Sequence, residues 1–165
     1  MIRNVVMVTA AGSLLFGCMN AMADSSMEVQ KTIQAAYSAE NRAVEKKDVK
    51  QMFINYSADF TQTTKKGERL TLSSIKQVVP RMLMSAQKIS DKTTVQKFSM
   101  KGNRAFATVS RHTDISIANP QTKKPMSATV DAVSVDTWVK SGKTWKIKLS
   151  QEKSEQQFVD GKPVN

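Results

Sequence analysis

The stretch "DTWVKSGKTWKI", Asp136–Ile147, contains the only two tryptophans of the chain, one on each side of a Ser-Gly pair. Alternating polar and apolar residues around a glycine-containing turn are typical of a β-hairpin. The register of this hairpin decides which side chains face the core, because a one-residue slip moves every side chain to the opposite face of the sheet.

Two turn lengths are compatible with these residues. A two-residue Ser141-Gly142 loop would pair Trp138 with Trp145 and would mix apolar and polar residues on both faces. A three-residue loop, Lys140–Gly142, places Gly142 at the left-handed position of a bulged type I turn, where glycine is favoured. Because the second loop separates apolar from polar side chains, it is the register that we predict.

This register sends the two tryptophans to opposite faces. Trp138 is predicted on the outer face of the sheet, where it is either part of a subunit contact or an isolated surface aromatic. The predicted inner face, packed against helices, carries Val133, Val135, Trp145, Ile147 and Leu149.

The same alternation places polar residues on the buried side. Arg111 shares the face of Ala105, Ala107 and Val109 on the preceding strand, and Gln151 lies opposite Asp131 in the hairpin. We therefore predict that Arg111, Asp131 and Gln151 converge beneath the helices. A buried charge needs a partner, so either Arg111 and Asp131 pair with each other or they line a wet cavity that admits a polar ligand.

The rest of the sequence has an α+β pattern. A capping box at Ser25–Glu28 predicts the start of a first helix that ends near Lys47, Asp48 starts a short second helix, and Thr71 caps a third, which Pro80 should kink or split. The sequence predicts one strand at 55–64 and four more in succession at 92–100, 103–117, 126–139 and 143–159. Helices then cover one face of a curved, mainly antiparallel sheet.

The N-terminus has the pattern of an export signal. A basic start, an apolar run and the small residues before Asp24 predict cleavage after Ala23, so that 1–23 is a signal peptide and 24–165 is a single domain. The protein would then be periplasmic or secreted. The alternative is a lipoprotein signal that ends at Cys18, the only cysteine, with a lipid anchor at that residue.

Charge and composition limit the partners. The formal net charge is +11, and removal of Arg3 with the signal leaves +10. Outside the cytoplasm the candidate electrostatic partners are anionic envelope components rather than nucleic acid. Because the lysines are spread along the whole sequence, a solvated basic surface without a specific anion site is the favoured interpretation. With one histidine and no cysteine after cleavage, we expect neither a metal site nor a cofactor.

The order of elements resembles the nuclear transport factor 2-like superfamily, and within it the SnoaL-like, ketosteroid-isomerase-like branch. The matching stretches are "DF…KKGE" (Asp59–Glu68), "GNRAFATV" (Gly102–Val109), the tryptophan hairpin, and "DGKPV" (Asp160–Val164). The resemblance implies a cone-shaped fold with a cavity at its open end, and a homodimer formed through the outer face of the sheet. It implies no particular activity, because such folds serve many functions.

Candidate chemistry follows from the cavity residues. Enzymes of this fold use a cavity carboxylate as a base and a tyrosine or an acid to polarise a carbonyl; here Asp131 is the candidate base and Tyr37 and Tyr56 are candidate donors. Arg111 beside Asp131 would hold that carboxylate ionised and weakly basic. His112 with Asp114 forms a second candidate pair, on a face expected to be exposed.

These observations favour an exported, non-catalytic module that binds a small amphipathic molecule through Arg111, Asp131, Gln151, Tyr37 and Tyr56, or that mediates association. The alternative is a cofactor-independent isomerase, cyclase or dehydratase.

Overall fold

The helical layer lies on one side of the sheet in a computed structural model that describes residues 14–119, 122 and 124–164, with side chains from Ser26 onward. The first helix, α1 (Leu14–Glu45), includes residues before Ser25, so the predicted start at Ser25 is wrong. The predicted signal at 1–23 stays a prediction, and its first thirteen residues lie outside the described part of the chain. None of the helices in the described residues is long and apolar enough to cross a membrane.

The two shorter helices begin where their caps predict. Helix α2 (Val49–Met52) follows Asp48, whose carboxylate accepts a hydrogen bond from the Gln51 amide at 3.1 Å. Helix α3 (Leu72–Ser85) follows Thr71, which forms a reciprocal capping box with Ser74. The helix continues through Pro80 and is not split there.

The described residues form one seven-stranded sheet in the order β2-β1-β6-β5-β4-β3, with β7 paired to β6. All neighbouring strands are antiparallel except β1 and β6, which are parallel. The predicted α+β class, with three helices on a curved and mainly antiparallel sheet, is confirmed. The strands are β1 (Tyr56–Thr63), β2 (Arg69–Thr71), β3 (Ala86–Lys101), β4 (Arg104–Ala118), β5 (Pro125–Ser141), β6 (Thr144–Val159) and β7 (Lys162–Val164).

The β5–β6 hairpin has neither of the two registers considered from the sequence. Ser141 pairs with Thr144, so the loop is Gly142-Lys143, and Gly142 has a φ of 61°. A glycine with positive φ at the first central position is typical of a type II′ turn, whose twist matches that of the flanking strands. This turn pairs Trp138 with Ile147.

The new register reverses the predicted facing of β5. Trp138 is 1% exposed and Asp136 is 5% exposed, so the even-numbered residues of β5 face the helices. Val133 and Val135, predicted inside, therefore lie on the outer face, and Trp138 cannot be an outer association residue. The two tryptophans share the inner face, because Trp145 pairs with Lys140, two residues after Trp138.

Two β-bulges in β6 change which of its side chains face the helices. The pairing skips Lys148 between Ile147 and Leu149, and it skips Lys153 between Glu152 and Ser154. An extra residue moves the following side chains to the opposite face of the sheet. Leu149 and Gln151 consequently point outward, whereas a strictly alternating strand would have placed them inside with Ile147.

Candidate functional site

The inner face of the sheet meets α1 at a buried polar cluster centred on Arg111. The Arg111 Nη2 atom lies 3.0 Å from Glu40 Oε1, and its Nε donates to Thr93 Oγ1 at 3.1 Å. Its Nε also lies 3.9 Å from Asp91 Oδ2. Glu40 is 2% exposed and Asp91 is 7% exposed, so one guanidinium is shared between two buried carboxylates.

Glu40 is the most buried carboxylate of this cluster. Its Oε1 also accepts a hydrogen bond from the Tyr56 hydroxyl at 2.9 Å. Burial raises the pKa of Glu40 above its usual value, while Arg111 and the Tyr56 hydrogen bond act in the opposite direction. Burial, together with the Glu40 charge, also raises the pKa of Tyr56, which keeps this phenol a hydrogen-bond donor.

A second polar group surrounds Asp136. Its carboxylate accepts hydrogen bonds from Tyr37 at 2.6 Å, from Ser134 at 2.9 Å and from Ser150 at 2.6 Å. The Trp138 indole donates to the Tyr37 hydroxyl at 2.9 Å, and the two rings meet edge-on with centroids 5.3 Å apart. Burial and the Asp136 charge raise the pKa of Tyr37, so this hydroxyl too remains protonated.

A cavity of about 190 Å³ opens between β1, β5 and β6 beside these clusters. Among its described lining residues, Arg111 is the one cation, against the carboxylates Asp136, Glu152 and Glu155. Burial and the neighbouring Glu155 raise the pKa of Glu152 above its usual value. The remaining lining residues are Tyr56, Phe60, Gln62, Val130, Ala132, Ser134, Ile147 and Ser150.

Comparison with solved structures identifies the fold. The chain superimposes on a putative scytalone dehydratase from Novosphingobium aromaticivorans with a TM-score of 0.68 and 10% identity, covering 81% of this chain and 89% of that one. It also matches a type-3 hexachlorocyclohexane dehydrochlorinase from Novosphingobium barchaimii, with a TM-score of 0.61 and 11% identity over 84% of this chain and 91% of that one. The chain has the nuclear transport factor 2-like fold. No protein-family profile matches the sequence, and no curated protein is similar to it.

Other proteins with the same architecture have no assigned role. One is a Mycobacterium tuberculosis protein of unknown function, with a TM-score of 0.61 and 13% identity over 79% of this chain and 74% of that one. At these identities the nuclear transport factor 2-like fold alone is confirmed, and an activity has to be argued from the side chains.

Only part of the predicted site is inside the cone of this nuclear transport factor 2-like fold. Arg111 and Tyr56 line the cavity, and Tyr37 lies buried behind it, bound to Asp136. Asp131 and Gln151 do not join Arg111 beneath the helices as predicted, although Asp131 and Arg111 both line a second cavity of about 590 Å³. Asp131 binds His112 on the outer face, and Gln151 accepts a hydrogen bond from Lys153 there, because of the register and the bulges described above.

Two residues of the site were missed in the sequence, although each carries a signal. Glu40 falls at helical spacing within the buried stripe of Ile33, Tyr37 and Val44, where a carboxylate is unexpected. Asp136 has the same parity as the buried Trp138, so it could have been found once the hairpin register was correct.

The predicted His112–Asp114 pair exists on the outer face. His112 Nε2 lies 3.1 Å from Asp114 Oδ2, and Nδ1 lies 2.6 Å from Asp131 Oδ1, with about half of each side chain exposed. Each carboxylate contacts a different nitrogen of the imidazole ring. A metal ion bound to one of these nitrogens could therefore not be coordinated by both carboxylates. Within the described part of the chain, no three histidine, cysteine, aspartate or glutamate side chains are arranged so that they could hold a metal ion.

The titration of His112 tests this outer cluster. The hydrogen bond that His112 donates to Asp131, and then the one that it donates to Asp114, raises the pKa of His112 above 6.5. The charge of His112 therefore stabilises the fold at low pH, and this contribution is lost as the pH rises through the folded-state pKa. In NMR, the Cε1 proton of this sole histidine should titrate above 6.5. Asp131→Asn should lower the midpoint more than Asp114→Asn; equal midpoints in all three proteins would contradict the geometry.

The outer face of the sheet is partly apolar. Val133, Val135 and Val139 run along β5, with Phe106 and Leu149 beside them on the neighbouring strands. A homodimer through this face stays a prediction, and these residues rather than Trp138 would form it.

Proposed function

We propose that the chain is an exported, non-catalytic protein that binds a small amphipathic cation in the cavity beneath its sheet. The observation that carries the proposal is the charge of the cavity. Asp136, Glu152 and Glu155 face a single guanidinium, that of Arg111, which already pairs with Glu40. In a protein of net charge +11, this acidic interior favours a positively charged guest.

The size and surface of the cavity limit the guest further. A volume of about 190 Å³ is below the roughly 300–1,000 Å³ of sites for drug-sized ligands. Val130, Ala132 and Ile147 supply apolar walls. The aromatic side chains of Tyr56 and Phe60 also line the cavity, and an aromatic face attracts an ammonium group.

The positions of the ionisable groups favour binding over catalysis. A general base must reach the substrate, yet Glu40 is 2% exposed and lies behind Arg111 and Tyr56. Asp136 does line the cavity, but three hydroxyls donate to its carboxylate and it is 5% exposed.

A charge-matched ligand pair tests the proposal. Benzylamine and benzoate have nearly the same size and opposite charge, so the protein should bind benzylamine in calorimetry and show no binding of benzoate. The variant Glu152→Gln/Glu155→Gln should weaken benzylamine binding about tenfold. The control Glu28→Gln/Glu68→Gln removes the same charge from exposed positions outside the cavity and should leave the affinity unchanged.

Three outcomes of this experiment would contradict the proposal. They are preference for benzoate, equal losses in the two double variants, and no binding of either probe.

A proton-transfer enzyme is the second candidate, favoured by the raised pKa of Glu40 and its contact with Tyr56. Mass spectrometry of the ligand recovered after incubation separates the two functions: a binding protein returns it unchanged, and an isomerase or lyase returns a product.

Export rests on the N-terminal pattern, and an N-terminus at Asp24 in the protein isolated from its source would support it.

A further inference from the structure

Two segments of the chain contain basic residues and no acidic ones. The ranges 92–113 and 137–151 together contain nine lysines and arginines and no aspartate or glutamate. They are the paired halves of the β3–β4 and β5–β6 hairpins. Lysines that are scattered in the sequence are therefore brought to one region by the sheet.

The two hairpin turns lie side by side at one end of the sheet. The Lys140 amide donates to the Asn103 carbonyl at 3.1 Å, which joins the turn after β5 to the turn after β3. The exposed side chains at this end, together with the half-buried Lys146, are called the basic tip; its members are Lys101, Arg104, Lys140, Lys143 and Lys146. The cavity lining at Val130 and Glu155 lies towards the other end of the strands.

An exposed apolar side chain accompanies these cations. Ile54, which follows α2, is 52% exposed. The Lys146 ammonium donates to the Ile54 carbonyl at 2.6 Å, and the Ile147 amide donates to the Asn55 carbonyl at 2.8 Å, so Ile54 is held at the basic tip. The basic tip therefore combines several exposed cations with one exposed apolar side chain, which Lys146 contacts directly.

We propose that the basic tip docks on the surface of a bilayer that contains anionic phospholipids, with Ile54 entering the boundary between headgroups and acyl chains. Each lysine or arginine near such a surface contributes about 1 kcal/mol of attraction, which is roughly fivefold in affinity. Ile54 favours a bilayer over a soluble polyanion, because only a bilayer offers an apolar layer beneath its phosphates.

Vesicle co-sedimentation tests the proposal. Protein isolated in its natural form should bind phosphatidylglycerol-containing vesicles, bind pure phosphatidylcholine vesicles far less, and lose affinity as salt is added. The variant Lys101→Gln/Arg104→Gln/Lys140→Gln/Lys143→Gln should lose about a hundredfold or more in affinity. The control Lys31→Gln/Lys66→Gln/Lys88→Gln/Lys162→Gln removes the same charge from exposed positions elsewhere and should lose less than about tenfold.

Ile54→Ser separates a membrane from a soluble polyanion. It should weaken vesicle binding and leave heparin binding unchanged, and both quadruple variants should keep the wild-type melting temperature because every altered side chain is exposed. Equal losses in the two quadruple variants, or vesicle binding that is indifferent to phosphatidylglycerol, would overturn the proposal. Tight heparin binding with no effect of Ile54→Ser on vesicles would assign the tip to a soluble polyanion instead.

Discussion

Replacing Trp138 by alanine is expected to lower the free energy of unfolding by about 3–5 kcal/mol. Trp138 is 1% exposed, packs edge-on against Tyr37 and donates its indole hydrogen to the Tyr37 hydroxyl. Its removal leaves a cavity and takes one partner from a buried hydrogen-bond network that also contains Asp136. Chemical denaturation, with the slope and the midpoint both recorded, measures the loss.

Trp145→Ala is the matched control for this change. Trp145 is only half-buried beside the turn, so its replacement should cost less than about 2 kcal/mol. A larger loss of unfolding free energy for Trp145→Ala than for Trp138→Ala would support the register in which Trp138 lies on the outer face. It would contradict the pairing of Trp138 with Ile147.

Arg111→Met is expected to destabilise the fold by about 3 kcal/mol, at the lower end for a broken buried ion pair because a third of the arginine side chain is exposed. Methionine leaves the Glu40 and Asp91 carboxylates buried without a cation. Since Arg111 lowers the pKa of Glu40, the variant should raise that pKa further. A carboxyl with a raised pKa stabilises the folded state at low pH and loses this contribution as the pH rises, so the deficit should be smaller at about pH 5 than at about pH 8.

The double variant Glu40→Met/Arg111→Met serves as the control. Replacing both members of a buried pair by apolar residues is often neutral, so the double variant should be more stable than Arg111→Met alone. A deficit that does not change with pH, or a double variant less stable than the single one, would show that the Arg111–Glu40 contact contributes little.

Local chemistry in the sequence predicted most of the fold. The caps at Asp48 and Thr71 depend on neighbouring residues, and both helices begin there. The alternation of β4 correctly placed Ala105, Ala107 and Val109 inside and His112 outside. These features follow from short-range periodicity, which a single sequence displays directly.

The site was harder to predict because it depends on which side chains of the two long strands β5 and β6 face the helices. The position of the turn at Gly142-Lys143 and the bulges at Lys148 and Lys153 each move side chains between faces. Apolar residues stand on both faces of β5, so sorting by hydrophobicity favoured the face with Val133 and Val135 over the face with Asp136 and Trp138. The buried polar network of Asp136 compensates for that composition, and its partners Tyr37 and Ser150 are distant in the sequence.

Native mass spectrometry of the protein isolated from its own source most directly tests whether the cavity binds a cation. The spectrum should show one retained small molecule that carries an amine or another cationic group. Glu152→Gln/Glu155→Gln should lose it, and Glu28→Gln/Glu68→Gln should keep it. A retained carboxylate or phosphate compound, or equal retention in both double variants, would contradict an acid-lined binding site for cations.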